Sequence, residues 1–228
     1  MKHKISIIIP VLNEASIINR TIGSVLSLPY DGEIEVLVVD GSPYRETLKA
    51  VARGDVIKLA GSRGRARQMN NGASAASGEL LLFLHADTGL PEDALNIISS
   101  VMGKGDFVAG AFDLGINSSR PVFRLIELGA SLRSRLTKTP YGDQAIFIWR
   151  DYFRAIGGFK EIPLMEDVEL MRRIKKARGK IHIVPEKART SPRRWEKEGI
   201  VFCTLRNWAL ITLYSFGVQP EKLAKFYR

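Results

Sequence analysis

Glu166 and Asp167 are adjacent carboxylates opening a segment that reads as a helix. The positive end of a helix dipole keeps such acids ionised at neutral pH, so either can accept a proton from a nucleophile. His85 and Asp87 stand two residues apart, and in extended geometry both side chains point the same way and can converge on one cation. Imidazole with carboxylate suits Mn2+, and the carboxylate suits Mg2+ equally well. Each pair also has a plainer reading, with Glu166 and Asp167 as ordinary first-turn residues and Asp87 as the cap of a helix opening near Pro91. Further polar residues recur at turns: Asn13 and Glu14, Asp40 with Gly41 and Ser42, and Tyr141-Gly142-Asp143-Gln144. Asp143 and Gln144 are suited to hydrogen-bond hydroxyl groups, although packing between strands would also explain them. Trp195, beside Arg193 and Arg194, is the one tryptophan placed to stack on a ligand; Trp149 and Trp208 read as buried area.

These residues need a scaffold. Residues 5–10 are a continuous apolar strand, and 14–27 carry Ile17, Ile18, Ile22, Val25 and Leu26 at helical spacing before Pro29. Strands are predicted at 35–39, 56–59 and 80–84, with helices at 45–52, 65–77 and from Pro91, proline being favoured in a first turn. The alternation predicts an α/β fold with a mostly parallel sheet flanked by helices. Beyond residue 106 the pattern loosens into strands at 107–114, 145–149 and 181–184 and helices at 122–136, 166–177 and 199–214. Open α/β sheets bind ligands beyond the carboxyl ends of their strands. Asn13, Glu14, Asp40, His85 and Asp87 all follow such ends, so all are expected to face one crevice.

The chain has 228 residues, 45% hydrophobic and 25% charged, which suits one folding unit with a real core. The single cysteine, Cys203, forms no intrachain disulfide and no cysteine-based zinc site, and a reducing cytoplasm is the simpler setting. The apolar run 5–12 is short and holds Pro10, so it reads as a buried strand rather than a signal peptide. Residues 200–218 are apolar, but Arg206 and Asn207 in their middle argue against a spanning helix. Apolar residues surround much of that helix, leaving its own domain, a second subunit making a homodimer, or a bilayer surface as docking partners. The formal net charge of +10 implies an anionic partner. A basic module tracking nucleic acid would use Arg63, Arg65, Arg67 and the arginines of 189–194, yet interleaved aromatics and a nucleic-acid motif are missing. Nucleotidyltransferases and dinucleotide-dependent dehydrogenases need a glycine-rich loop after the first strand, and Val11-Leu12-Asn13-Glu14 has no glycine.

Taken in order, Ser6-Ile-Ile-Ile-Pro-Val-Leu-Asn-Glu14, Val38-Val-Asp-Gly-Ser42, Gly78-Glu-Leu-Leu-Leu-Phe-Leu-His-Ala-Asp87, Gly157-Gly-Phe159 and Glu166-Asp167 resemble the family 2 glycosyltransferases. The likeness covers about three quarters of the chain, and five motifs in the right order outweigh the weakness of each. The resemblance implies a GT-A fold, Rossmann-like, with a mixed and mostly parallel central sheet and a C-terminal helical segment. It implies a single domain over 1–228, with a nucleotide-binding half at 1–105, an acceptor and catalytic half at 106–195 and a helical appendage at 196–228. The implied reaction is inverting, metal-dependent transfer of a hexosyl group from a nucleoside-diphosphate sugar to an acceptor hydroxyl, without nucleic acid. The alternatives are a basic nucleic-acid or anion-binding module and a homologue that binds nucleotide without turnover.

By position, Pro10, Asn13 and Glu14 would line the nucleotide pocket and Asp40 would contact base or ribose. A UDP-sugar is the default donor, although a guanine nucleotide could make the same contact. His85-Ala-Asp87 occupies the place of the family's Asp-x-Asp, with Asp87 holding Mn2+ or Mg2+ on the diphosphate and His85 departing from the usual first aspartate. Asp167 would be the general base, with Glu166 beside it. Arg194-Trp195 is similar to the end of the Gln-x-x-Arg-Trp motif of processive members, with Ser191 where the glutamine would be. Arg194 and Arg67 are expected on the diphosphate, and Asp143, Gln144 and Trp195 on sugar or acceptor. The stretch 63–71, the His-Ala-Asp triplet and Ser191-Pro-Arg-Arg-Trp195 point to a short bacterial subgroup. Its acceptor, lipid-linked or soluble, is left open, as is its place in the cytoplasm or at the inner membrane face.

Overall fold

The computed structural model describes residues 2–227. Apolar runs give β1 (Ile5–Val11), β2 (Ile34–Asp40), β3 (Ile57–Ala60) and β4 (Leu80–Phe83), all mutually parallel. Between them run α1 (Ile18–Leu26), α2 (Glu46–Ala50) and α3 (Arg65–Ala75). Next come β5 (Thr88–Gly89), α4 (Ala94–Gly103), β6 (Ala109–Ile116) and α5 (Pro121–Thr137). A 3-10 turn (Gly142–Gln144) leads into β7 (Phe147–Trp149) and α6 (Arg150–Ala155). The chain continues through α7 (Glu166–Lys176), β8 (Ile181–Thr190), α8 (Arg193–Glu198), α9 (Ile200–Ser215) and α10 (Pro220–Ala224). The strands form one mixed sheet in the order β3-β2-β1-β4-β7-β6-β8-β5.

Period-two alternation sorts the strand residues onto two faces. Ile5, Ile7, Ile9, Val36, Val38, Leu80 and Leu82 pack against α1 and α4 through Ile18, Ile22, Leu95 and Ile98. Ile8, Leu37, Val39, Leu81 and Phe83 pack against α3, α6 and α7 through Met69, Phe153, Leu170 and Ile174. α3 lies flush on β1 because of Gly72, where a Cβ would come within 2.5 Å of Ile8 Cγ2. Helices thus cover both faces, and the polar loops collect at the rim.

Three departures from the sequence reading have local causes. α1 starts at Ile18, not at residue 14, because Asn13 turns the chain with φ 59° and Glu14 O accepts from the N–H groups of Ile17 and Ile18. Asparagine tolerates that left-handed backbone better than most residues. β8 runs to Thr190 rather than stopping at 184. Phe112 pairs with Val184 but Asp113 with Lys187, so Pro185 and Glu186 form a bulge and the proline, lacking an N–H, sits where the ladder is interrupted. The short β5, α6, α8 and α10, of two to six residues, span too few turns or alternations to show a period.

β7 is antiparallel to both β4 and β6. Its start therefore lies at the rim where β1, β4 and β8 end, and the turn 142–144 stands there too. Gln144 fixes that turn: its Oε1 accepts from Tyr141 N at 3.0 Å and Ser134 Oγ at 2.9 Å, and its Nε2 donates to Phe112 O at 2.9 Å. The side chain is fully buried. Arg133 also donates to that Oε1, at 3.2 Å, and replacement Gln144→Leu keeps the approximate size and strands all four partners, so a loss of about 3 kcal/mol is expected in urea unfolding. A loss below about 1 kcal/mol would show that the turn does not depend on this amide.

Candidate functional site

A cavity of about 660 Å3 opens at that rim, within the range of small-molecule sites. Pro10 and Glu14 reach it from the end of β1, His85 and Asp87 from the end of β4, and Tyr141, Gly142 and Asp143 from the turn before β7. Glu166 and Asp167 enter from the start of α7. The far wall is Arg193, Arg194 and Trp195 with the inner face of α9, namely Asn207, Leu210 and Ile211.

The acidic side is built around Asp167. Its Oδ2 accepts from Gly142 N at 2.7 Å and its Oδ1 from Val168 N at 2.7 Å. These bonds fix the carboxylate while leaving lone pairs for another proton. Met165, φ 68°, turns the chain into α7 in the left-handed region, which is uncommon for a residue with a side chain and aims the acidic pair at the cavity. Burial pushes the Glu166 carboxyl up; Arg65, whose guanidinium lies 3.3 Å away, pulls it down and the charge of Asp167 raises it again.

Asp143 is pushed up to about 6, first by burial and then by the charge of Asp167, against the pull of Arg133 and Arg65. Its Oδ1 is buried without a hydrogen-bond partner among the described residues. An unfolded aspartate releases its proton near 3.8. The native state therefore holds the proton more tightly, and its ionisation costs stability as pH rises from about 4 to 6, fully so above 6. Asp143→Asn removes that cost. Its stability relative to wild type should climb across this window and stay ahead by about 3 kcal/mol at pH 7. Thermal melts at stepped pH check this, and a difference that ignores pH would refute it.

On the strand-end side, His85 is lowered to about 3, by burial first and then by Arg65 and Arg194, so its imidazole is neutral at physiological pH. Its Nε2 is buried with no hydrogen-bond partner among the described residues. A Cβ on Gly142 would stand 3.0 Å from that nitrogen, so any larger residue there would crowd the imidazole. Arg193 bridges the two acids of this side, 2.6 Å from Glu14 Oε1 and 3.3 Å from Asp87 Oδ2. No group of three or more His, Cys, Asp or Glu side chains able to hold a metal occurs among the described residues. Residues 85–88 form a turn rather than an extended segment, but an unpartnered neutral imidazole and a carboxylate lining the same cavity fit a cation that takes only one or two protein ligands and completes its shell with substrate phosphates and water.

Not every expected residue meets the cavity. Asp40 is fully buried, its Oδ1 accepting from Ser42 N at 2.8 Å and its Oδ2 from Leu48 N at 3.3 Å, so it braces the loop into α2. Asn13 is exposed beside the opening, and Arg67 pairs with Glu161 at 2.9 Å. Gln144 serves the turn. Trp195 lines the cavity with one edge while its ring packs on Phe123 at 5.9 Å. Arg194 lies 4.2 Å from the Tyr227 ring and donates to its hydroxyl. Arg65, Arg193 and Tyr227 enter the site without having been singled out individually. The arginines had a signal, since Arg65 opens a predicted helix and Arg193 precedes the expected Arg194; Tyr227 had none, because a C-terminal residue returns here only through tertiary packing.

The family model described as Glycosyl transferase family 2 matches residues 6–160. No curated protein matches the chain. Among solved structures, the mannosyltransferase PcManGT from Pyrobaculum calidifontis, in complex with GDP-Man and Mn2+, superposes with a TM-score of 0.62 at 21% identity, over 84% of this chain and 57% of that one. TarS 1-349 from S. aureus, in complex with UDP-GlcNAc, gives 0.64 at 17% identity, over 82% and 58%. At these identities the likeness is one of fold, and this chain spans just under three fifths of each.

Proposed function

Because the chain belongs to glycosyltransferase family 2, we propose that it transfers a hexosyl group from a nucleoside-diphosphate sugar to an acceptor hydroxyl, with inversion at the anomeric carbon. The observation that carries this is the convergence on one cavity of a fixed carboxylate, Asp167, with the pair His85 and Asp87 and the arginines Arg65, Arg193 and Arg194. The nucleotide sugars held by two proteins of the same fold support a donor of that class. A uracil nucleotide is the first to test. Asp40 would meet a base or ribose only if the loop from Ser42 to Leu48 gives up its bonds to the carboxylate.

Transfer requires a nucleophile relieved of its proton, a leaving group able to take negative charge, and both held in line. Asp167 takes the proton of the acceptor hydroxyl, its orientation kept by the N–H groups of Gly142 and Val168. A single displacement on the face opposite the diphosphate inverts the anomeric carbon. Mn2+ or Mg2+, held by Asp87 and His85, would offset charge on the diphosphate as a Lewis acid. Arg193 exchanges its carboxylates for phosphate oxygens, and Arg194 adds a second fork. Asp143, protonated to about pH 6, offers a hydrogen bond to a sugar or acceptor hydroxyl, and Trp195 lines the same cavity.

The test is thermal stabilisation by UDP, GDP and their sugars, each with and without Mn2+ or Mg2+, because binding to the native state alone raises Tm. Metal-dependent stabilisation by one base is expected and names the donor. Folded protein that responds to no nucleotide would overturn the proposal.

A further inference from the structure

α5 is built with its polarity reversed. Its inward side carries Phe123 but also the buried polar residues Glu127 and Ser134, while Leu125, Leu128, Leu132 and Leu136 stand in one outward stripe, 56% to 74% exposed. α9 repeats the pattern. Its only charged residue, Arg206, is turned inward and paired with Glu198. Its outer face presents Val201, Phe202, Leu205, Trp208 and Leu213, with Phe216 just beyond its end. Phe123, Ile126 and Ala130 of α5, Trp195 of α8 and Ile200 at the start of α9 border one apolar cluster. A helix facing only water would carry charge on its outer side, and scattered exposed leucines would need no explanation, but an apolar outer face on each of two helices does.

We propose that the outer faces of α5 and α9 seat on the surface of an anionic lipid bilayer. Charge selects this occupant. Of the five basic residues from Arg120 to Lys138, Arg124 pairs with the buried Glu127, Arg135 with the buried Asp113 and Arg133 lies over the Tyr141 ring, while Arg120 and Lys138 are exposed with no acidic partner among the described residues. Lys222 and Lys225 stand exposed beyond the end of α9. A second copy of the chain would oppose this basic surface with itself, whereas anionic headgroups complement it. No helix among the described residues is long and apolar enough to cross a membrane. The contact is therefore in-plane, with apolar side chains at the headgroup boundary and basic residues at its margin.

The proposal does not depend on the transfer reaction and is tested without it. The whole chain is sedimented with vesicles of phosphatidylcholine alone or mixed with phosphatidylglycerol, at low and high salt. Binding to the mixed vesicles, weakened at least tenfold by salt or by omission of phosphatidylglycerol, is expected. Each of the double variants Leu125→Glu/Leu132→Glu and Phe202→Glu/Trp208→Glu should lose binding at least tenfold while keeping the wild-type Tm, since all four side chains are exposed. Failure to bind mixed vesicles, equal binding to phosphatidylcholine alone, or wild-type binding by either double variant would overturn it. So would a dimer in light scattering that both double variants dissociate while vesicle binding is absent.

Discussion

Asp167→Asn should lower kcat by about a thousandfold, near 4 kcal/mol of barrier, while donor affinity stays within about threefold of wild type. The reason is geometric. The carboxylate is fixed by Gly142 N–H and Val168 N–H at the start of α7, whereas Asp87 is held by Arg193, which also binds Glu14 at the end of β1. An amide retains the shape but cannot accept the acceptor's proton. Calorimetric titration of the donor beside steady-state transfer separates the two effects. Donor affinity falling as far as kcat would place Asp167 on the donor and leave the base unassigned.

Asp87→Ala should weaken donor binding by about a hundredfold, near 2.7 kcal/mol, and abolish the difference between donor titrations with Mn2+ and with a chelator. In the structure Asp87 shares Arg193 with Glu14. Removing it leaves that arginine paired, so the fold should survive and Tm without ligand should barely move. The loss then reports the bound cation and its diphosphate. A variant that still binds donor more tightly with Mn2+ would show that the cation is held elsewhere.

The cavity-lining residues Glu14, His85 and Asp87 were legible because they follow short apolar strands. Each comes directly after a run whose burial is plain, and parallel strands bring such ends to one rim. The same logic misplaced Asp40. It also follows a strand, but its carboxylate turns back to two loop N–H groups, and a strand-end position does not reveal whether an acid caps its own loop or faces outward. The second half was harder to read. β7 has three residues and reverses direction, and β8 passes through a proline that a sequence rule treats as a stop. Arg193, between Glu14 and Asp87, makes contacts far apart in sequence. The position of Tyr227 on Arg194 likewise depends on how α9 and α10 fold back.

The reversal of β7 bears on how such a chain can diverge. Glu14, His85 and Asp87 hang from the ends of β1 and β4, while Tyr141, Gly142 and Asp143 arrive in the turn before a strand running the other way. The two groups share a cavity but no loop. Lineages can therefore lengthen, shorten or recolour the segment between α5 and β7 without disturbing the ends of the parallel strands. Gly142 is the exception. It touches both parties, through the N–H to Asp167 and the space it leaves beside His85, and drift should be slowest there.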